Sequence, residues 1–461
     1  MSEILIKDGF IATMSEDKQI IQKGSLYIED GVIVDIGKNV QTPRSPEFVI
    51  EAKHKVIMPG FVNVHSHLQQ YFRGVYELMG DFYNTNLPLE GYRRPEDMDW
   101  LGDASCAEFI HGGCTTSMVI YTYPDGFAKS VEKAGQRVIL GSDIEEVDLQ
   151  RLKQGVYEYL PDKGEAAYKR AVDIHRKWHG KNGLITTIMA PKAADLAVPE
   201  TYLKCKDYAE ENGLRMTTHL SQSTRECKLV EKLYGKTSPE HLRDLGVLND
   251  NLTGAHCTYA NEKDTQLIAD SGMGILHCRS TSNPLMDWID RDIPVGIGTD
   301  DYYHDMNQLI RENIAGQKRR ARSVGGAFGM IASNKMTVRP SFYDLLELAT
   351  RKGAEVLGIG DEVGCLEKGK KADIIIYSML NPYLTPTRDP LTSIVLYGNP
   401  SDIDYVIVNG KILKENGELT TIDRKESLLT AQKRTDEIID RFFDDHPNQR
   451  ENWEKMASKG Q

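Results

Sequence analysis

The sequence predicts an α/β protein: a (β/α)8 barrel of the TIM type, joined to a composite β-sandwich domain formed from both chain ends. Two observations carry this expectation. A long middle stretch alternates short apolar runs with helix-patterned segments, and a second, purely β texture flanks it on either side. At 461 residues the chain exceeds one small core, which suits a large barrel with a satellite domain.

Residues 1–58 are short apolar runs broken by Gly and Asp: Ile4-Leu5-Ile6, Phe10 to Thr13, Ser25 to Ile28 and Val32 to Ile36. Asp30-Gly31 is a hairpin signal between the last two. The texture returns within 356–423, in Ala372 to Tyr377, Ile394 to Tyr397, Asp404 to Val408 and Lys411 to Leu413, with Asn409-Gly410 as a second hairpin turn. Neither segment can hold a core alone, so the two are expected to share one domain.

From 59 to 355 the expected barrel strands are Phe61 to Val64, Thr115 to Ile120, Val138 to Gly141, Leu184 to Met189, Arg215 to His219, Leu252 to His256, Gly274 to His277 and Val295 to Asp300. Helical runs such as Glu200 to Asn212 and Glu262 to Ser271 separate them and stop at Gly213 and Gly272. The tail, 424–461, is charged and helix-patterned, then polar, as expected of a surface helix or subunit contact.

Composition narrows the partners. The net charge is −12 with no basic domain to offset it, which excludes nucleic acid as an expected partner. The basic cluster Lys318-Arg319-Arg320-Ala321-Arg322 reads as a solvated helix face or loop. Seven scattered cysteines without CxxC spacing argue for a reducing compartment and against disulfides or a zinc knot. No signal peptide is evident, and no apolar run approaches the roughly 18 residues of a membrane span, so a cytoplasmic, non-membrane protein is expected.

Chemistry in such a barrel sits where strands end at the C-terminal face. His65 and His67 follow a Pro59-Gly60 turn and a buried strand, and the period of two puts both imidazoles on one face. Two side-by-side imidazoles suit a divalent cation, with a strand end that happens to carry two histidines as the bland alternative. The other strand ends carry Lys192, His219, His256, His277 and Asp300. Each histidine taken singly has an equally ordinary core role; together they form a constellation.

The motifs PGFVNVHSHL, HLSQ around His219, AHC around His256, HCRSTSN around His277 and GTD ending at Asp300 resemble the amidohydrolase superfamily. The resemblance is to the branch of cytosine, guanine and S-adenosylhomocysteine deaminases and triazine hydrolases. It extends to Cys365 to Tyr377, similar to the family's G-x-L-x-x-G-x-x-A-D segment, and so covers nearly the whole chain. It implies one divalent metal, Zn first and Fe, Co or Mn otherwise, ligated by His65, His67, His219 and Asp300. It further implies a metal-activated water whose pKa falls toward about 7, with Asp300 as proton acceptor and donor and His256 orienting the water and stabilising the oxyanion. His277 and Asn283 match a segment that shapes the site.

Two departures stand out. Relatives carry HxxE after the fifth strand, where this chain has Gln222, whose amide exchanges hydrogen bonds but cannot relay a proton. They carry A-P-H after the fourth strand, where this chain has Ala190-Pro191-Lys192. Three readings of Lys192 stay open: an anchor for a substrate carboxylate or carbonyl, a proton donor with a lowered pKa, or a salt-bridge partner pointing away. A carboxylated, metal-bridging lysine is discounted because Lys192 lies past the strand. Further substrate-contact candidates are Gln69, Gln70, Glu90, Tyr302, Tyr303 and His304, each with loop packing as its alternative. Cys257 and Cys278, beside His256 and His277, are expected to turn away into the core.

The expected activity is hydrolysis of a non-peptide carbon–nitrogen bond in a small cyclic or heteroaromatic compound, by deamination or amide/urea cleavage. The alternative is displacement of chloride, alkylamine or thiolate, or carbamate/urea cleavage, and the non-enzymatic alternative is an inactive metal-bound assembly subunit. A homodimer or higher homo-oligomer is expected.

Overall fold

The computed structural model describes residues 3–68, 70, 73–75, 87–152, 156–278, 283–301, 303–314 and 340–458. Gln69, Tyr302, the basic cluster at 318–322 and the centre of the HCRSTSN motif lie outside the described residues.

Nine strands from the two chain ends form one sheet. They are β1 (Ile4–Ala12), β2 (Ile20–Glu29), β3 (Val32–Gly37), β4 (Phe48–Glu51) and β5 (Lys55–Pro59), then β14 (Ile374–Ser378), β15 (Ile403–Val408), β16 (Lys411–Glu415) and β17 (Glu418–Leu419). The order is β17-β16-β15-β14-β5-β1-β2-β3, with β4 also paired to β1. The sheet curls so that the β2–β3 hairpin reaches the segment 370–372 leading into β14: Ile33 N–H donates to Lys370 O, Ala372 N–H to Gly31 O, and Gly410 N–H to Ala372 O. Isoleucines dominate the enclosed core, among them Ile6, Ile28, Ile57, Ile374 and Ile407.

The expected hairpins form at Asp30-Gly31 and Asn409-Gly410, all four residues at positive φ, as such tight turns require. One expected strand is corrected. Ile394 to Tyr397 belongs to a helix, Pro390–Tyr397. Pro390 opens it, the Asp389 side chain caps Leu391 N–H, and Leu391, Ile394 and Val395 bury one helical face. Three strands were not anticipated, β4, β5 and β17, and β5 is the one that joins the halves.

The middle of the chain forms eight parallel strands in sequence order: β6 (Phe61–Ser66), β7 (Cys114–Tyr121), β8 (Arg137–Ile144), β9 (Ile185–Pro191), β10 (Met216–Leu220), β11 (Leu252–His256), β12 (Gly274–His277) and β13 (Val295–Ile297). Helices occupy the crossovers, including Pro199–Asn212 and Glu262–Ser271, each capped by its expected left-handed glycine. The barrel is drawn together at the mouth, where Ser66 and Asp300 form a parallel bridge. Gly298 permits this approach: a Cβ there would lie 2.6 Å from His65 N. Val62 and Val64, on the opposite face of β6 from His65, pack with Ala354 and Val356 of the helix Arg351–Val356.

The sheet domain and barrel are tied by a buried bidentate pair. Arg137, opening β8, reaches Asp373 at 2.9 and 3.2 Å, and the same carboxylate accepts Asn409 N–H. The tail forms two helices, Arg424–Asp445 and Pro447–Ser458. The first packs on the barrel helix Asp97–His111 and buries Ile438, Phe442 and Phe443.

Candidate active site

Backbone geometry sets the metal-ligand candidates before any side chain is considered. Asp300 N–H donates to His65 O at 3.0 Å, and His67 N–H donates to Asp300 O at 3.2 Å. Asp300 sits at φ 64°, as His256 does at φ 74°, a left-handed conformation costly for residues with a Cβ. Such strain at two strand ends turns both side chains toward one point.

There the imidazoles converge. The ring centroids of His65 lie 4.8 Å from His67, 5.0 Å from His219 and 5.7 Å from His256. Asp300 Oδ1 is 3.6 Å from Nε2 of both His65 and His67. His67 Nδ1 bonds Ile120 O at 2.7 Å, and His219 Nδ1 bonds Lys192 O at 2.8 Å. Each carbonyl accepts, so each Nδ1 carries the proton, assigned from the network. In the neutral rings the two Nε2 lone pairs therefore face each other 3.2 Å apart. His65 is fully buried, and neither of its ring nitrogens has a hydrogen-bond partner among the described residues. Opposed lone pairs and an orphaned buried imidazole are costly alone and are satisfied together by a cation. The residues therefore fit a divalent metal.

The electrostatics favour the neutral ring at His65, His219 and His256 and oppose it at His67. Burial, reinforced by its histidine neighbours, pushes His65 well below the ordinary histidine range. Burial with His67 and His256 pushes His219 down to about 3. Burial also lowers His67, but Asp301, Asp300 and Asp143 outweigh it and carry His67 above its usual value. Burial lowers His256, partly offset by Asp300.

Around this centre the other candidates fall into distinct places. Lys192 is buried, with Nζ 2.6 Å from Glu145 Oε2 and 3.4 Å from Asp143 Oδ2. Burial opposes its charge, yet the two carboxylates, with Glu90, hold its pKa above the lysine norm. Both carboxyls are pushed up by burial and brought below their usual range chiefly by Lys192. Glu90 is buried beside Arg93, which bonds its carbonyl and carboxylate at 2.9 and 3.2 Å. Gln222 N–H donates to Glu226 Oε2 at 2.7 Å, and Ser221 N–H donates to Oε1 at 2.8 Å, so Glu226 anchors the turn after β10.

His277 lies in a network: its Nε2 bonds Asn313 Oδ1 at 2.7 Å, and its Nδ1 accepts from Asn283 Nδ2 at 3.1 Å. The Asn283 amide also donates to His256 O. His304 is fully buried behind the mouth, stacked on Phe109 at 4.1 Å with Nδ1 3.1 Å from Thr299 Oγ1. Gln70 donates to Ser105 Oγ on the neighbouring helix, and Tyr303 N–H bonds Asp301 O.

Three residues at the site went unread in the sequence or were misread. Asp143 and Glu145 end β8 or follow it, and the rule that picked out the other strand ends would have found them. Cys278 is buried in the core as expected, packed among Val62, Ala255 and Leu276, yet its sulfur does not turn away from the site. One ligand atom from each of His65, His256, Cys278 and Asp300 lies within 4.8 Å of the others. Strand alternation fails for Cys278 because β12 ends at His277. Cys257 is buried in the core.

Residues 56–413 match the family model described as Amidohydrolase family. The chain is 30% identical over 453 residues to a 5'-deoxyadenosine deaminase of Methanosarcina mazei, covering 96% of this chain and 99% of that one. It is also 30% identical to a 5-methylthioadenosine/S-adenosylhomocysteine deaminase of Caldanaerobacter subterraneus, covering 95% and 98%. In fold it is similar to a zinc-bound adenosine deaminase from Xanthomonas campestris, with TM-score 0.80, 22% identity, and coverage of 94% and 98%. It is likewise similar to the zinc-complexed atrazine chlorohydrolase of Arthrobacter aurescens, with TM-score 0.79, 20% identity, and coverage of 94% and 100%. The chain belongs to the amidohydrolase family, hydrolases of non-peptide carbon–nitrogen bonds.

Proposed function

We propose that this protein is a zinc-dependent aminohydrolase that removes an amino group from a small heteroaromatic ring, with water as nucleophile. The observation that carries the reading is the pair of opposed Nε2 atoms of His67 and His219 at 3.2 Å, with His65 and Asp300 completing the ligand set. When bound there, a divalent cation supplies Lewis acidity that makes water a nucleophile near neutral pH.

The chain's own groups do the rest. The Asp300 side chain, 20% exposed and 3.6 Å from two ligand nitrogens, takes a proton from the attacking water and returns it to the departing amine. His256, kept neutral by burial, offers a ring N–H to the developing negative charge. The ion-paired Lys192 stays protonated and forms a fixed wall with Asp143 and Glu145 rather than a proton source. Glu90 belongs to the same wall. Asn283 and His277 position His256 through its carbonyl, and His304 supports Thr299 from behind.

Deamination is favoured by full-length relatives named as deaminases. A second reading rests on Gln222. Without a carboxylic acid there, a leaving group that needs no protonation, such as chloride or thiolate, departs more easily than ammonia, while cleavage of a urea or carbamate releases an amine that takes its proton from Asp300. Cytoplasmic location and a homodimeric or larger assembly belong to the same proposal. All seven cysteines are free, as a reducing compartment requires.

The test is chelation followed by zinc restoration, assayed on aminated purines and pyrimidines, ureas and chlorotriazines. Zinc-restored ammonia release supports the first reading, and chloride or amine release supports the second. A zinc-loaded protein inert across the whole panel overturns both and leaves a binding subunit.

A further inference from the structure

We propose that the mouth of this barrel holds a second cation position, formed by His256, Cys278 and Asp300 beside the His65–His67–His219 centre, and that it takes a thiophilic divalent ion. The geometric basis is the convergence of His65, His256, Cys278 and Asp300, whose ligand atoms mutually approach within 4.8 Å. His65, His67 and His219 form a second, overlapping group, so His65 stands on the boundary between two clusters. Together the two groups hold six donor residues, more than one tetrahedral ion needs.

The second group is chemically different from the first. It adds a sulfur, and soft thiolate ligands select zinc or cadmium over magnesium, calcium or manganese. Two of its members reach the open side of the site: His256 and Asp300 are partly exposed, while Cys278, like His65, His67 and His219, is buried. An ion arriving from solvent meets this group first. Cys278 Sγ is held 3.4 Å from Leu276 O and lies within 4.8 Å of a ligand atom of each of His65, His256 and Asp300. Forming the metal–sulfur bond releases the thiol proton to buffer, and no redox step is involved. Occupation would engage His256 and Asp300, so the second ion is expected to inhibit rather than assist.

The experiment is a titration of the metal-free, full-length protein with cadmium ion. It is followed by the ultraviolet cadmium–thiolate charge-transfer band and by metal content after desalting. The first equivalent is expected to enter without the band, and the second to bring it. Cys278→Ser is expected to keep the first equivalent and lose both the second and the band, as is Cys278→Ala should the serine variant fold poorly. No band at two equivalents, a band arriving with the first, or a band undiminished in the Cys278 variants each overturns the proposal. Failure of the first equivalent to bind would instead count against the histidine centre, which separates the two readings.

Discussion

The carbonyl oxygen of Lys192 accepts the Nδ1–H of His219 at 2.8 Å, while the same residue's ammonium lies 2.6 Å from Glu145. One residue thus orients a ligand through its backbone and neutralises buried acid through its side chain. The two roles separate on mutation. Lys192→Ala keeps the carbonyl, so zinc content should match wild type. It strands Asp143 and leaves Glu145 with Lys163 as its remaining cation, so stability should fall by about 3 kcal/mol, the low end for a broken buried pair. Chemical denaturation and metal analysis on the same preparation check both halves.

Asp300 is proposed to accept and return the reaction's proton. Asp300→Asn keeps the shape and an oxygen ligand but removes the base, and kcat should fall about 10²–10⁴-fold. Steady-state assays at saturating zinc separate this loss from weakened metal binding. A variant retaining wild-type kcat would remove Asp300 from the proton path.

Gln222 stands where the resemblance to the deaminases implies a glutamate. Gln222→Glu should raise ammonia release from an aminated heterocycle by about a hundredfold, the low end of general acid–base effects. Chloride release from a chlorotriazine should change little. Equal changes on both substrates would sink the proton-relay explanation.

Glu226 accepts hydrogen bonds from Ser221 N–H, Gln222 N–H and Ser238 Oγ, all of which favour its carboxylate. Burial, aided by Asp195, outweighs them and raises its pKa to about 8. An acid whose folded pKa exceeds its unfolded value binds its proton more tightly when folded. Its stabilising contribution is therefore complete below about 4.5 and is lost as pH rises through about 8. Burial likewise raises Asp195, to about 6, so the slope above pH 6 belongs chiefly to Glu226. Urea unfolding across this range should show a shallower decline in Glu226→Gln than in wild type.

Legibility in the sequence followed the length of the physical signal. His65, His67, His219, His256 and Asp300 were readable because strand ends in a parallel barrel face one mouth, and these residue types are rare there by chance. Helix stops at Gly213 and Gly272 were readable because a left-handed cap needs only one residue. Ile394 to Tyr397 misled because four consecutive apolar residues fit a strand or a buried helix equally, and Asp389-Pro390 ahead of them was the deciding signal. The contacts of Lys192 were illegible: they depend on β8 and β9 lying side by side, which residue spacing does not encode. Cys278 was misplaced because alternation holds only while the strand lasts.

The position of β5 has a consequence for how the chain comes into being. It pairs in parallel with β1 at Phe10–Val56 and Ile11–Ile57, and antiparallel with β14 along Lys55–Pro59. β14 is made only after nearly the whole barrel has left the ribosome. Until then one side of β5 lacks this partner, an edge open to strangers, and closing it means joining segments far apart in the chain. The last seam of the newborn protein is thus sewn beside its first strands, and a message cut short before Ile374 would yield a barrel with an unhemmed sheet.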